Sequence, residues 1–195
     1  MIDMFCLIIF NNTNKKLAIC IDCEFVLFLA SETNVSYFIY KRKLADKVSA
    51  AGYYVDKGFE EAKPIIETLK SKGASSVGAA GFCWGGKVVV ELSKVELIQA
   101  AMILHPAWVI VDDIKGVKVP IAVLGVELDN FVPPELLKQY DEALTSQSKV
   151  DFYVKIFPKV IHGWTTRYED EDEVAVKSAE EAHQNLLDYF VKYIK

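Results

Sequence analysis

A cysteine between two glycines is the residue of this sequence whose chemistry is easiest to read. The run Ala80-Gly81-Phe82-Cys83-Trp84-Gly85-Gly86 contains Gly-x-Cys-x-Gly, the cysteine form of the tight turn that presents a nucleophile between a strand and a helix. Residues 76–80 predict a buried strand, and residues 87–94 predict a helix. A helix start lowers the pKa of a nearby thiol. Cys83 is therefore a candidate nucleophile, and a buried structural cysteine is the alternative interpretation.

Two further side chains follow apolar runs later in the chain. Asp129 comes after a predicted strand that ends at Gly125, and His162 after one that ends near Phe157. Because active residues of open α/β sheets gather at the carboxyl ends of strands, we expect both beside Cys83. The chain order of nucleophile, acid and histidine is that of α/β-hydrolases.

Each of these residues has a role in such a site. His162 would accept the proton of the Cys83 thiol and later donate one to the leaving group. Asp129 would hold His162 in the right tautomer and stabilise its cation. The backbone N–H of Trp84, directly after the nucleophile, would form half of an oxyanion hole.

The other histidines and two further aspartates are weaker candidates for the base and the acid of this site. His105 precedes a proline, which favours a structural role, and His183 lies among charged residues of the last helix, where we expect it to be solvated. Asp112 and Asp113 fall in a segment that resembles a surface loop. His162 is preferred over the other two histidines by its position. The alternative interpretation is that it is only a loop residue, as a histidine after a strand often is.

The N-terminal half of the pattern is less regular than the rest. A continuous apolar strand is predicted at residues 17–21, and a helix over residues 43–51 that stops at Gly52. Tyr53-Tyr54-Val55 is predicted to begin a short strand. Apolar residues at helical spacing then indicate a helix with Pro64 in its first turn; they are Phe59, Ala62, Ile66 and Leu69.

Strands and helices alternate over the remainder of the chain. Strands are predicted at residues 98–104, 119–125 and 150–157, and helices from Pro133 toward Leu144 and over residues 173–194. Alternation with continuous apolar strands predicts an α/β fold of one domain, with a mostly parallel sheet covered by helices on both faces.

Composition and net charge argue against some classes of binding partner. The 195 residues carry a net charge of -5, are 52% hydrophobic and 25% charged, and have no basic stripe, which argues against nucleic acid or an anionic membrane as a partner. The basic cluster at residues 41–43 is short. The apolar N-terminus lacks the charged start and cleavage site of a signal peptide. We expect a cytoplasmic protein.

Four cysteines are too few and too irregular for a disulfide framework; they are Cys6, Cys20, Cys23 and Cys83. Cys20 and Cys23 form a C-x-x-C inside an apolar run. A strand there would point the two thiols to opposite faces, and no second pair completes a zinc site. We therefore expect no metal site.

The chain resembles the dienelactone hydrolase family, in particular plant members, some of which carry the name endo-1,3;1,4-beta-D-glucanase. The resemblance is carried by Gly81 to Lys87, by Asp129 with Pro133-Pro134, and by His162-Gly163-Trp164 with Arg167-Tyr168. It implies an α/β-hydrolase-type fold and a Cys-His-Asp triad that cleaves ester or lactone bonds without a metal or cofactor. It also suggests Arg167 as a contact for a substrate carboxylate, with a surface ion pair to Glu169 or Asp170 as the alternative.

Two departures from the family concern the N-terminal part. Residues 23–40 do not match the loop that would supply the second oxyanion donor, and the long active-site loop expected after Val55 is missing. We therefore treat residues 1–41 as atypical and 42–195 as family-like, and we expect a truncated or variant form.

Three functions stay open at this point. The first is a carboxylesterase or lactonase acting on small molecules, and the second is glycoside hydrolysis of glucan, for which Glu127 and Asp129 are candidate carboxylates. The third is an inactive variant that at most binds a small molecule. A sheet edge left by a missing strand would invite association, so the expected state is a monomer or weak homodimer.

Overall fold

The computed structural model describes residues 6–11, 51–71, 73–147 and 150–194, with side chains from residue 55 onward. Strands and helices alternate along this part of the chain. In order they are β1 Cys6–Asn11, α1 Ala51–Ser71, β2 Val77–Phe82, α2 Trp84–Lys94, β3 Ala100–Leu104, α3 Val111–Lys115, β4 Ile121–Leu128, α4 Pro134–Gln147, β5 Phe152–Ile161 and α5 Glu173–Tyr193. The predicted strand at 17–21, the C-x-x-C and the basic cluster lie outside the described residues.

The strands form one sheet in the order β1-β2-β3-β4-β5. The pairs from β2 to β5 are parallel, which confirms the predicted mostly parallel sheet, and β1 joins β2 antiparallel. The sequence analysis did not predict β1. Its position beside β2 depends on pairing across more than sixty residues of chain, and local pattern carries no signal for that.

Helices cover both faces of the sheet, as predicted. In β2 and β3, Ala79 and Ala101 pack into a core with α1 to α4, whereas Ala80 and Met102 pack into a second core with α5. Neighbouring residues of a strand point to opposite faces, so every position of these two strands is buried on one side or the other. This explains why both strands are continuous apolar runs.

The first described helix differs from the prediction. Gly52 does not end a helix and residues 53–55 do not form a strand; both lie inside α1, and Pro64 lies in its interior rather than in its first turn. Proline removes one backbone hydrogen bond from a helix. The helix continues because its apolar stripe is buried in the core from Val55 through Ala62, Ile66 and Leu69. Burial of a whole face outweighs one lost hydrogen bond.

The segment around Asp113 also differs from the prediction. It is the short helix α3 rather than a surface loop, and Asp113 is buried. Its carboxylate accepts hydrogen bonds from the Ile110 N–H (2.9 Å) and from Lys94 Nζ (2.8 Å), and Lys87 Nζ lies 2.6 Å away. Burial raises the pKa of Asp113, and the hydrogen bonds from Lys87 and Lys94 outweigh it, so the pKa lies below its usual value. This cluster joins α3 to α2.

Strands β4 and β5 run further than predicted. The sequence placed their ends at Gly125 and Phe157, whereas the structure extends them to Leu128 and Ile161, which are paired across the two strands. The extension brings the next residue of each strand, Asp129 and His162, to the same edge of the sheet.

Candidate active site

Cys83 lies in a strained turn between β2 and α2. Its backbone angles are φ 52° and ψ −122°, a conformation that a residue with a side chain rarely adopts. The turn is held at both ends. The Cys83 N–H donates to the Leu104 carbonyl (3.1 Å), and the Cys83 carbonyl accepts from the N–H groups of Gly86 (3.1 Å) and Ala107 (3.0 Å). The strand, sharp turn and helix predicted from the motif are therefore present.

Two glycines of the motif permit this turn. A Cβ on Gly81 would overlap the backbone of Gly85, and a Cβ on Gly86 would lie 2.9 Å from the Cβ of Pro106. Strand β2, helix α2 and the loop after β3 thus approach closely around Cys83. The close approach explains why glycines stand at positions 81 and 86 of this run.

The Cys83 side chain is a thiol and is fully buried. Trp84, the predicted oxyanion donor, is the first residue of α2. The first N–H groups of a helix have no acceptor within the helix itself, and they carry the positive end of its dipole. The position of Cys83 at this helix start is one that stabilises a thiolate.

Asp129 and His162 form a buried hydrogen-bonded pair. His162 Nδ1 donates to Asp129 Oδ2 over 2.8 Å, and the Asp129 side chain is 1% exposed. The second carboxylate oxygen of Asp129 accepts from the N–H groups of Phe131 (2.8 Å) and Val132 (3.4 Å). With both oxygens occupied, the carboxylate has one orientation, and it directs the Nδ1 proton of His162.

The other ring nitrogen of His162 is buried and has no hydrogen-bond partner among the described residues. A buried polar atom of this kind calls for an explanation in a native protein. It is also the nitrogen that would exchange a proton with a nucleophile, since Asp129 occupies the first. The structure thus joins two of the three predicted residues by a hydrogen bond.

Cys83 and His162 both lie around the end of β3. The Cys83 N–H bonds to Leu104, the last residue of β3, and the ring of the next residue, His105, is 4.8 Å from the His162 ring between centroids. The ring of Phe82 lies 5.9 Å from His105 on the Cys83 side. The carboxyl ends of four parallel strands therefore meet at this edge.

His105, for which the sequence indicated only a structural role, lies beside His162. It is 1% exposed, and its Nε2 lies 2.8 Å from the hydroxyl of Thr165. Burial first, and then the charges of His162 and Arg167, hold the pKa of His105 well below its usual value. The signal available in the sequence was its place directly after a predicted strand, as for Asp129 and His162.

The prediction that His183 is solvated is wrong. It is half-buried, and its Nε2 donates to the Thr165 carbonyl over 3.0 Å. Burial lowers the pKa of His183, and the hydrogen bond to Thr165 opposes this only in part. The prediction failed because His183 faces the loop after β5, although its neighbours on α5, Glu180, Glu181 and Gln184, are polar.

Arg167 lies against the loop that carries His162. Its N–H donates to the Gly163 carbonyl over 2.9 Å, and its guanidinium group occupies the space where a Cβ of Gly163 would stand. Gly163 has φ +91°, which suits a residue without a side chain. The guanidinium charge also acts on His105. Arg167 thus lies beside Gly163 and acts on His105, and its contact with a substrate carboxylate stays a prediction.

Two aromatic side chains cover one side of His162. The ring of Phe131 lies 4.9 Å from that of His162, and the ring of Trp108 lies 5.5 Å from Phe131. Both are partly exposed, at 39% and 37%. Trp108 also has φ 56°, a strained value for a bulky residue. Sequence reasoning did not single out either residue, because the contact of Phe131 with His162 and of Trp108 with Phe131 depends on how three loops meet.

The described part of the chain offers neither a metal cluster nor a membrane-spanning helix. There, no group of three or more histidine, cysteine, aspartate or glutamate side chains is arranged to hold a metal ion. Over the same residues, none of the helices combines the length and apolarity that crossing a bilayer requires.

The sheet and its helices define an α/β-hydrolase-type fold. The model of the dienelactone hydrolase family matches residues 34–194, and the chain belongs to this family. A solved structure, a dienelactone hydrolase-like promiscuous phosphotriesterase from metagenomic libraries, superposes with a TM-score of 0.61 at 19% identity, over 78% of this chain and 71% of that chain. The fold and family resemblance stated from the sequence are confirmed.

Curated relatives support the same assignment. An endo-1,3;1,4-beta-D-glucanase of Zea mays is 34% identical over 137 residues, which cover 57% of this chain and 45% of that protein. A carboxymethylenebutenolidase homolog of Xenopus tropicalis is 33% identical over 138 residues, covering 69% of this chain and 56% of that protein. The chain thus spans about half the length of these curated relatives.

Proposed function

We propose that this chain hydrolyses ester or lactone bonds of small molecules through a thioester on Cys83, with His162 as the base and Asp129 as its positioning residue. The observation that carries the proposal is the buried Asp129–His162 hydrogen bond, which leaves Nε2 of His162 without a partner among the described residues. An imidazole held through one nitrogen and open at the other suits a general base. Membership of a hydrolase family supports the same class of reaction.

The first half of the reaction forms the thioester. The Cys83 sulfur attacks the carbonyl carbon while its proton moves to Nε2 of His162. The bond from that carbon to the leaving oxygen then breaks, and His162 returns the proton to this oxygen. The products are a thioester and an alcohol, which in a lactone stays attached to the acyl chain.

The second half restores the enzyme. His162 removes a proton from water, the hydroxide attacks the thioester carbon, and the carbon–sulfur bond breaks. A carboxylic acid leaves, and the Cys83 thiol is regenerated by the proton from His162. Asp129 keeps the Nδ1 proton in place throughout and stabilises the imidazolium that forms in each half.

The negative charge on the carbonyl oxygen needs a donor. The N–H of Trp84 fits this role because Trp84 begins α2 directly after the nucleophile. Arg167 is proposed as a contact for a substrate carboxylate, since its guanidinium group lies beside Gly163, the residue after His162. Trp84 lies in the turn that holds Cys83, and Arg167 lies in the turn that follows His162.

Glycoside hydrolysis receives less support from the site. That reaction uses two carboxylates that face the scissile bond. Here Asp129 is engaged with His162, and the exposed Glu127 accepts a hydrogen bond from the Lys159 N–H over 3.0 Å. The name of the maize relative nevertheless makes mixed-linkage glucan a necessary substrate in the test.

The test follows p-nitrophenyl acetate hydrolysis by the full chain and by Cys83→Ala. A matched control replaces the other three cysteines, Cys6, Cys20 and Cys23, by serine. We expect hydrolysis and an acetylated Cys83, detected by peptide mass spectrometry, in wild type and control, and neither in Cys83→Ala. Activity that survives in Cys83→Ala refutes the mechanism. Release of reducing sugar from glucan would favour glycoside hydrolysis. A cooperative thermal melt without ester hydrolysis would favour an inactive protein that at most binds a small molecule.

A further inference from the structure

His105 is a buried titratable group that the proposed mechanism does not use. It follows β3 directly, and it adopts φ 36°, a strained value for a residue with a side chain. Its ring is enclosed by three others: those of Phe82 at 5.9 Å, His162 at 4.8 Å and Trp164 at 5.3 Å between centroids. Strain at a buried imidazole beside the base suggests that its position serves the site.

Asp129 alone does not fix the ring of His162. A single hydrogen bond at Nδ1 tolerates a range of donor angles, and the terminal torsion of histidine is broad, so the ring plane keeps some freedom to turn. The ring of His105 meets that of His162 at 66°, an edge arrangement that aromatic rings favour. A contact on the ring itself restricts the rotation that the hydrogen bond leaves open.

His105 is itself anchored. Its Nε2 lies 2.8 Å from the Thr165 hydroxyl, and Thr165 is 2% exposed. The Thr165 carbonyl in turn accepts the hydrogen bond from Nε2 of His183 on α5. Thr165 thus connects His105 to His183 of α5, and His105 in turn contacts the ring of His162.

We propose that His105, anchored by Thr165, is a positioning residue that sets the plane of the His162 ring, so that Nε2 keeps the orientation needed for proton transfer. The proposal rests on the proposed function of His162 as a base. It also requires that His105 stays neutral while His162 takes up the proton, since two imidazolium groups in ring contact would repel.

The surroundings of His105 favour that neutral state. The groups that act on its charge are His162 and Arg167 on the loop after β5, and Asp129 after β4 is hydrogen-bonded to His162. From α5, His183 reaches the backbone carbonyl of Thr165, the residue that anchors His105. Burial disfavours a charge on His105 first, and the positive charges of His162 and Arg167 add to this. The Asp129 carboxylate hydrogen-bonds His162, so it favours a positive charge on His162 rather than on His105.

The kinetic test compares His105→Ala, His105→Phe and Thr165→Val with a matched control, Ser93→Ala. Ser93 is a buried hydroxyl on α2 that donates to the Val90 carbonyl, so the control also removes one buried hydrogen bond. We expect His105→Ala and Thr165→Val to lower kcat by about tenfold, part of what a general base contributes, with KM within about twofold. His105→Phe keeps a neutral ring but loses the hydrogen bond to Thr165, so its kcat should lie between that of His105→Ala and that of wild type.

A spectroscopic arm works even if no activity is found. Ring ¹⁵N and ¹H spectra can assign all three histidines by single substitutions, and the Nδ1 proton of His162 should appear as a protected downfield signal. We expect this signal in wild type and Ser93→Ala, and its broadening or loss in Thr165→Val and His105→Ala. His105 should stay neutral down to a pH well below its ordinary pKa.

The outcomes separate the two proposals. Wild type without ester hydrolysis contradicts the proposed function, and the ring spectra then decide the positioning role on their own. An unchanged His162 signal in Thr165→Val, or a His105 whose pKa is found at the ordinary value for histidine, overturns the positioning proposal. Thr165→Val is the smaller change and keeps the test available if His105→Ala does not fold. Equal losses of kcat in Ser93→Ala and Thr165→Val would assign both to general destabilisation and overturn it as well.

Discussion

His162 Nδ1 and Asp129 Oδ2 lie 2.8 Å apart although 33 residues separate them in the chain. The contact exists because β4 and β5 are parallel neighbours and because an irregularity between Val126 and Leu128 shifts their register, which places Leu128 opposite Ile161. The next residue of each strand then reaches the same point. This pair is the part of the site that the structure establishes most directly, and its chemistry can be tested first.

Replacement of Asp129 by asparagine should remove most activity without removing the fold. The amide keeps the shape but loses the negative charge, and it no longer holds the Nδ1 proton of His162. By analogy with a serine triad, we expect kcat to fall roughly 10³- to 10⁴-fold. Steady-state kinetics with p-nitrophenyl acetate measures this.

Asp112→Asn is the matched control for that substitution. Its carboxylate is 77% exposed and pairs with Lys115 on the surface of α3. We expect its kcat to stay within twofold of wild type, as is usual for a surface charge. Equal effects of the two substitutions would show that Asp129 does not act through His162.

Asp113→Asn should destabilise the fold in a pH-dependent way. Above the ordinary carboxyl pKa, the charged Asp113 holds Lys87 and Lys94, and we expect a loss of about 2–3 kcal/mol in the free energy of unfolding. The pKa of Asp113 is lowered in the folded state. The stability due to its charge is therefore present above the unfolded pKa and is lost as pH falls through the folded pKa.

Urea titrations of wild type and Asp113→Asn at several pH values check this. The difference between them should be constant from about pH 5 to 8 and shrink below about pH 4. Glu142→Gln, in an exposed pair with Lys138, is the control and should change stability by less than about 0.5 kcal/mol. A pH-independent difference would mean that packing rather than charge explains the effect.

Gly81→Ala should prevent the close approach of β2 and α2. The added Cβ would overlap the backbone of Gly85, which cannot rotate away as a side chain could. We expect a loss of about 3 kcal/mol or more in the free energy of unfolding. Gly73→Ala has open space but φ +95°, so its cost should be limited to about 1–2 kcal/mol of backbone strain. Thermal and urea melts compare the two, and a smaller loss for Gly81→Ala would contradict the geometry of the turn.

Trp108→Ala should change substrate preference more than turnover of small esters. The indole packs on Phe131 beside His162 and offers a partly exposed aromatic surface to an acyl group. We expect kcat/KM for methyl phenylacetate to fall about fivefold relative to methyl acetate, which corresponds to about 1 kcal/mol. Tyr153→Ala, an aromatic residue of β5 with 40% exposure, should leave this ratio unchanged. If the ratio does not move in Trp108→Ala, the acyl group does not bind on this side.

The sequence was sufficient for features that depend on local pattern. Gly81 and Gly85 around Cys83 predicted the turn, because only glycine allows β2 and α2 to approach so closely. Continuous apolar strands and helical spacing predicted the parallel sheet with helices on both faces. The positions of Asp129 and His162 after strands placed them at the correct edge, because parallel strands end together.

Local pattern failed where distant packing decided. Pro64 did not begin a helix, because the buried stripe of α1 extends back to Val55. Asp113 became buried because Lys87 and Lys94 of another helix neutralise it. In both cases the deciding partners are remote in sequence, so neither period nor propensity reports them.

By itself, then, the sequence determined which residue types could form a site and at which ends of the strands they would lie, since turn geometry and hydrophobic period are local properties. Only the tertiary structure decided that Asp129 bonds to His162, that Nε2 of His162 is buried, and that His105 lies against its ring. These contacts depend on the register between β4 and β5 and on how the loops after three strands meet. Interactions of this kind arise only when the whole sheet has formed.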